Sequence, residues 1–247
     1  MTPQQLQTQC ELGQQLLMHT RYIEAREALT AAEAVAFQLQ DFDTLARLYM
    51  PLQEAHRQIR QRCGEGCFNL RALAADSTEA VDFEAILHDS TAGQFLVAGW
   101  ANIEPAKRFR EIAKAKLLYA ETFLAAVYPL VGGAKVVAIV PTQDVALPDA
   151  SPRSIDALIK LLPPHTVTLA IDQLPPPQPK GNTQTFGYTM NLWEQLSAPY
   201  LAAANIERDP IRKMEMYRKT IAVDSACELA HQYLSDCAAK LSKQNSK

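Results

Sequence analysis

The sequence FLVAGWA at residues 95–101 decides the fold class, together with KVVAIVP at 135–141 and TVTLAID at 166–172. Each is a short, continuous apolar run, as expected for a strand that is covered on both faces. Stretches with helical spacing separate the three runs, so residues 94–171 read as β-α-β-α-β. Short strands that alternate with helices favour parallel pairing with right-handed crossovers. We therefore predict an α/β protein with a small parallel-type sheet.

Two helices connect these predicted strands. The first is predicted to start after Asn102, which suits a helix cap, with Pro105 in its first turn. Its apolar face continues to about Tyr128, which is where we expect the helix to end. The second is predicted over residues 152–162, with four aliphatic side chains facing inward: Ile155, Leu158, Ile159 and Leu162.

Helical patterns occupy both ends of the chain. Residues 4–61 read as three helices, and Asp41 and Asp43 are candidate caps for the third. The C-terminal part reads as three more, over residues 192–206, 210–223 and 225–241.

The N-terminal helices resemble a tetratricopeptide repeat. The residues that carry the resemblance are the large and small side chains of the first two helices: Leu12-Gly13, Leu16, Tyr22, Ala25, Leu29 and Ala32. Small residues such as Gly13 and Ala25 let two antiparallel helices approach closely, while Leu16 and Leu29 fill the seam between them. The third helix matches less well, because Arg47 stands where a small residue is expected.

The C-terminal helices resemble the same family. Residues 217–236 look like the second half of one repeat running into the next, and Asp224-Ser225 stands in place of the usual Asp-Pro. Each end holds about one and a half units, whereas a free-standing array needs about three. We therefore expect the two ends to pack on each other or on the sheet. The matching positions of the last helix are Ala230, His231, Leu234 and Ser235.

These patterns predict four segments. Residues 1–65 would form tetratricopeptide-like helices and residues 66–173 a central α/β domain. Residues 174–187, which begin LPPPQPK, would form a proline-rich linker, since polyproline segments are extended and semi-rigid. Residues 188–247 would form the C-terminal tetratricopeptide-like helices, packing on the rest.

Composition and charge narrow the class of protein. The 247 residues are 48% hydrophobic and 21% charged, which is typical of globular proteins. A net charge of -3 gives no general attraction to nucleic acid or to anionic membranes, so we expect neither as a partner. Five scattered cysteines do not indicate a disulfide framework, and the N-terminal sequence does not resemble a signal peptide. A cytoplasmic location is the expectation.

The common catalytic and cofactor-binding motifs do not occur. Neither a GxxxxGK nor a GxGxxG phosphate loop follows a predicted strand, and there is no GxSxG elbow. The pair Cys63 and Cys67 lacks a second pair for zinc, and the single Glu228-x-x-His231 lacks the further ligands of a di-iron site. We therefore expect no cofactor and no metal, and we favour a non-enzymatic role over an enzymatic one.

One site is predicted from position alone. In open parallel sheets, ligands bind beyond the carboxyl ends of the strands. Glu104 or Asp144 would then act as acid, base or metal ligand. The alternative is that these residues are helix caps and turn residues, which the same residue types favour. The other polar and aromatic residues at these ends, candidates for ligand binding, are Trp100, Asn102, Thr142 and Asp172.

Two functions remain open. The first is a protein-interaction or scaffold protein that presents helical surfaces to a peptide or protein, with Tyr22, Arg26, Tyr49 and Arg57 as candidate exposed contact residues. The second is an enzyme or small-molecule-binding protein with its site at the strand ends. A homo-oligomer in which incomplete repeats complete one another is a third possibility.

Overall fold

The computed structural model describes residues 2–149 and 152–245, which form nine α-helices and one five-stranded sheet. The helices are α1 Pro3–Met18, α2 Tyr22–Gln38, α3 Phe42–Glu65, α4 Phe83–Asp89, α5 Glu104–Ala115, α6 Ile155–Ile159, α7 Thr183–Ile206, α8 Pro210–Val223 and α9 Glu228–Asn245. The strands are β1 Cys67–Leu73, β2 Ala92–Trp100, β3 Tyr119–Pro129, β4 Lys135–Val140 and β5 Val167–Ala170. The α/β class with helices at both ends is confirmed. The first and last residues of the predicted terminal segments, residues 1, 246 and 247, lie outside the described part.

The chain divides into two compact units. One consists of residues 1–60 and 197–247, and the other of residues 61–196. The first unit therefore joins the two ends of the chain, while the second contains the whole sheet. α7 begins at Thr183, inside the segment predicted as a linker.

The N-terminal and C-terminal helices share one hydrophobic core. Leu29 of α2 and Leu45 of α3 are buried in the same cluster as Tyr217 of α8 and Leu234 of α9. Gly13 of α1 packs directly on Leu29, and a Cβ atom at position 13 would lie 2.6 Å from the Leu29 side chain. The predicted close approach of the first two helices at this glycine is confirmed.

Local sequence explains where several of these helices begin. Thr2 and Gln5 form a capping box at the start of α1, in which each side chain bonds the other residue's backbone N–H. Asp209 accepts a hydrogen bond from the backbone N–H of Arg212, and Pro210 occupies the first turn of α8. Such caps satisfy backbone donors that a helix start would otherwise leave without partners.

The sheet has the strand order β1-β2-β3-β4-β5 and is mixed. β1, β2 and β3 are parallel, but β4 and β5 each run antiparallel to the preceding strand. The prediction of parallel pairing throughout is therefore wrong. The cause is β3, which occupies residues predicted to be helical up to Tyr128. α5 ends at Ala115, and Leu117 turns the chain with a φ of 52°.

Helices cover both faces of the sheet. On one face, Phe109 of α5 packs against Phe95 of β2, with ring centroids 5.1 Å apart. On the other, Trp193 of α7 stacks on Phe123 of β3 with centroids 4.2 Å apart. Burial on both faces explains why the central strands are continuously apolar.

The proline-rich segment lies along the free edge of β1. Phe68 and Gln178 exchange two backbone hydrogen bonds of 2.9 and 2.8 Å, and the guanidinium of Arg71 donates to the carbonyl of Leu174. Proline has no N–H to offer to a further strand, so this segment protects the edge from additional pairing.

The second connecting helix is shorter than predicted. α6 spans five residues, and Leu158 and Leu162 are buried as expected. Ile155 and Ile159 are exposed, so their predicted inward orientation is wrong. None of the described helices is long and apolar enough to cross a membrane.

Candidate functional site

The carboxyl ends of the strands that were predicted to form one site do not all lie at the same end of the sheet. Trp100, at the end of β2, aligns with Val127 of β3, whereas Val140, at the end of β4, aligns with Leu124. Because β4 runs antiparallel to β3, its carboxyl end points towards the end of the sheet where β2 and β3 begin. Thr142 and Asp144 follow β4 whereas Asn102 and Glu104 follow β2, and the carboxyl ends of these two strands do not lie side by side. The prediction that these two carboxyl ends meet is therefore wrong.

Asn102 and Glu104 serve local structure. The Asn102 amide donates a 2.9 Å hydrogen bond to the carbonyl of Trp100, and its Oδ1 accepts from the backbone N–H of Glu104 at 3.1 Å. Glu104 pairs with Lys107 at 2.8 Å on an exposed face of α5. The alternative interpretation of Asn102 as a turn residue accounts for its contacts, whereas the N-cap position of α5 is held by Ile103, which makes no side-chain cap bond.

Trp100 and Asp172 lie at the same end of the sheet. β5 runs antiparallel to β4, so its carboxyl end lies at the end of the sheet where β2 also terminates. The ammonium group of Lys135 lies 5.5 Å from the Trp100 ring centroid and bonds the carbonyl of Ala75. Asp172 is exposed in the short 3₁₀ turn that follows β5. At this end of the sheet the Trp100 ring is therefore covered by the Lys135 ammonium group.

The predicted partner-binding residues differ in their exposure. Arg57 is exposed and Tyr22 lies near it, while Arg26 is partly exposed. Tyr49 is buried, and its hydroxyl donates a 2.9 Å hydrogen bond to the Glu33 carboxylate. The prediction of Tyr49 as an exposed contact residue is therefore wrong, and the roles of the other three stay predictions.

A cleft of about 90 Å³ opens between α1 and α3, with α2 beneath it. Leu29 and Leu48 are almost fully buried and supply apolar surface to it. Its α1 wall comes from residues three, four and seven positions apart, which share one face of a helix. The α3 wall follows the same rule. The remaining lining residues are Gln7, Cys10, Glu11, Gln14, Thr44 and Arg47.

The groups around this cleft are held in place on each helix. Gln7 donates a 2.7 Å hydrogen bond to Glu11, one turn along α1. Arg47 pairs with Asp43 at 3.0 Å, one turn back along α3. Thr44 donates its hydroxyl proton to Asp41 at 2.7 Å. Burial raises the pKa of the Cys10 thiol, so it is protonated near neutral pH and acts as a small apolar group rather than a nucleophile.

An ion pair between buried Glu33 and partly exposed Arg218 ties α2 to α8 in the same unit. The carboxylate of Glu33 accepts a 3.0 Å hydrogen bond from Nη2 of Arg218, in addition to the one from Tyr49, and its Oε1 forms an ion pair with Nε of Arg218 at 2.7 Å. The Arg218 guanidinium also stacks 4.0 Å from the centroid of the Phe37 ring. Burial, followed by the neighbouring Glu33 carboxylate, raises the pKa of Tyr49, so its phenol stays protonated.

A second buried polar cluster lies between α3 and the segment that joins α8 to α9. Arg60 pairs with Asp224 at 2.9 Å, and both side chains are buried. The imidazole rings of His56 and His231 lie next to this pair, with centroids 5.4 Å apart. His231 bonds the carbonyl of Ser225 through Nε2 at 3.0 Å.

Within the described residues, no three or more His, Cys, Asp or Glu side chains are arranged to hold a metal ion. All five cysteines are free thiols.

The cleft residues were missed at the sequence level. The available signal was the run of polar residues at positions 7, 11 and 14, which repeat on one face of α1. That signal is weak, because a solvated helix face has the same pattern.

Comparison of the chain with protein-family models, with curated proteins and with solved structures found no match.

Proposed function

We propose that the protein is a non-enzymatic interaction protein that binds an extended peptide segment of a partner protein in the cleft between α1 and α3. The observation that carries this proposal is the composition of the cleft. Amide, hydroxyl and charged side chains line its walls, and two buried leucines supply apolar surface. Ligand sites commonly combine apolar surface with a few placed polar groups.

The polar walls suit a peptide backbone. Gln7 and Gln14 are exposed and stand two turns apart on one face of α1, and each amide can both donate and accept hydrogen bonds. An extended peptide offers alternating N–H and C=O groups that such amides can bind. The tetratricopeptide-like pairing of α1, α2 and α3 would hold the two walls of the cleft at a fixed distance. Gly13 packs closely against Leu29, which fixes α1 on α2, the helix beneath the cleft.

The size of the cleft limits which side chain it accepts. A cavity of about 150 Å³ holds a benzene ring, so a cleft of about 90 Å³ is too small for an aromatic side chain. A small aliphatic side chain fits better and would bury its methyl groups against Leu29 and Leu48. We therefore propose a partner segment with one aliphatic anchor residue.

The test is selection of binders from a library of random peptides displayed on phage, with the full chain immobilised. Peptides selected on the unaltered protein are then measured by calorimetry against Gln14→Trp, which fills the cleft from an exposed position. Gln15→Trp is the matched control, because Gln15 is exposed on the same helix and does not line the cleft. We expect Gln14→Trp to weaken binding by about tenfold or more and Gln15→Trp to leave it unchanged.

Two results would overturn the proposal. One is that no peptide is enriched over the bare support. The other is that selected peptides bind both tryptophan variants equally well, which would place their site elsewhere on the chain.

A further inference from the structure

The contact between α3 and α9 contains two histidines that are shielded from water. His231 is fully buried and His56 is nearly so. Their rings are tilted against each other with centroids 5.4 Å apart, one from each helix. A nearby bond from the Ser235 hydroxyl to the carbonyl of Ala46, at 2.9 Å, joins the same two helices.

The hydrogen bonding of His231 indicates its protonation state. A carbonyl oxygen only accepts, so Nε2 of His231 must carry the proton that it shares with Ser225. Nδ1 is then the acceptor nitrogen of a neutral ring, and it is buried with no hydrogen-bond partner among the described residues. Protonation would place a new buried N–H donor, and a positive charge, where the structure provides no acceptor.

The charges around the pair are mostly positive. His56 faces Arg26 of α2 and Arg60 of α3, as well as His231 of α9. The nearby carboxylate is Asp224 at the end of α8, and it already accepts from Arg60 and from the backbone N–H of Ala226. An imidazolium ion in this cluster would therefore be desolvated and repelled by the guanidinium groups.

We propose that the His56–His231 pair makes the contact between α3 and α9 acid-sensitive, so that protonation of either ring releases α9 from α3. This device does not depend on the peptide-binding cleft.

The direction of the effect follows from the proton affinities of the two states. Burial lowers the pKa of His231 to about 4, from an ordinary value near 6.5. Burial, followed by the charge of His231 and then of the arginines, also lowers the pKa of His56. The opened state therefore takes up protons first, and stability of the contact is present above about pH 6.5 and lost as the pH falls towards 4. For His231 alone, opening becomes roughly tenfold more favourable at pH 5.5 than at pH 7.5.

Hydrogen exchange of the full-length protein at these two pH values tests the proposal, with rates corrected for the intrinsic pH dependence of exchange. We expect amide protection in α9 to fall by about tenfold or more at the lower pH, and protection in β3 to change less. His231→Gln keeps a donor for the carbonyl of Ser225 but stays neutral, so it should reduce the fall, and the double variant with His56→Gln should abolish it. His19→Gln is the control, because His19 is exposed on the same unit, and it should behave as the unaltered protein does.

Titration of the imidazole resonances in the unaltered protein provides a second measurement that needs no variant. We expect the His231 and His56 rings to remain neutral at pH 5.5, which lies below the pKa of about 6.5 of a free imidazole. Titration of both buried rings near pH 6.5, or α9 protection that changes less than about twofold, would overturn the proposal.

Discussion

The guanidinium of Arg60 donates a 2.9 Å hydrogen bond to Oδ1 of Asp224, a residue 164 positions further along the chain. Both side chains are buried, and the bond links α3 to the end of α8. It therefore joins the N-terminal helices to the C-terminal helices inside one core, which sequence alone left open.

Removing one partner of the Arg60–Asp224 pair should destabilise the folded protein. We expect Arg60→Met to lower the free energy of unfolding by about 3–5 kcal/mol, because the Asp224 carboxylate would remain buried without its cation. Arg57→Met is the matched control on the same helix, since Arg57 pairs with Glu54 at the surface. It should cost about 0–1 kcal/mol. Urea unfolding followed by circular dichroism measures both, and equal losses would contradict the buried pairing.

Removing the hydroxyl group should change the free energy of unfolding differently at two buried tyrosines. Tyr49→Phe deletes the hydrogen bond to Glu33, and we expect a loss of about 1.5–3 kcal/mol because the acceptor is charged. The Tyr128 hydroxyl is buried with no hydrogen-bond partner among the described residues. Tyr128→Phe should therefore leave the free energy of unfolding unchanged or raise it by about 1 kcal/mol. Chemical unfolding of the two variants distinguishes the signs, and a large loss in Tyr128→Phe would show that its hydroxyl has a partner.

Tyr128 should also make the protein sensitive to alkali. Burial, followed by the charge of Asp149, raises the pKa of its phenol to about 12. The unfolded chain then loses this proton first, so stability is present below about pH 10 and is lost as the pH rises towards 12, by about 2–3 kcal/mol. Thermal melts across this range should show a smaller decline for Tyr128→Phe than for the unaltered protein. Identical declines would mean that other groups account for the alkaline loss.

Two glycines inside helices should give opposite results when changed to alanine. A Cβ at Gly187 of α7 meets no atom within 4 Å, so Gly187→Ala should raise stability by about 0.5–1 kcal/mol through helix propensity. A Cβ at Gly13 would lie 2.6 Å from the buried Leu29, and overpacking costs about 1–3 kcal/mol. We expect Gly13→Ala to be destabilising overall. Melting temperatures of the two variants measure the difference, and a gain in Gly13→Ala would show that α1 can move away from α2.

The pairing of the proline-rich segment with the edge of β1 should depend on one backbone N–H, that of Gln178. Gln178→Pro removes the donor that bonds the carbonyl of Phe68 at 2.8 Å, and we expect a loss of about 1–3 kcal/mol. Gln178→Ala keeps both backbone bonds and should cost less. Urea unfolding compares them, and light scattering should show whether exposing this edge also promotes association. Equal stability of the two variants would mean that the backbone bridge contributes little.

The terminal helices could be predicted from sequence because their information is local. α1, α2 and α3 lie between Pro3 and Glu65, close to the predicted range 4–61, since apolar spacing and caps such as Asp41 act within one or two turns. The same reasoning failed for Tyr119–Pro129. A strand that is buried on both faces is apolar throughout, and such a run has no period that separates a strand from a buried helix.

The sequence by itself determined the α/β class, the helical ends and the close contact at Gly13, because each depends on neighbours along the chain or on one pair of adjacent helices. The tertiary structure alone decided the directions of β4 and β5, and with them that the carboxyl ends of β2 and β4 do not lie side by side. It also decided which polar groups are buried together, as in the pairs of Arg60 with Asp224 and of His56 with His231. The physical reason is that such pairs form only when distant segments fold onto one core, and no local pattern records which buried group will meet which.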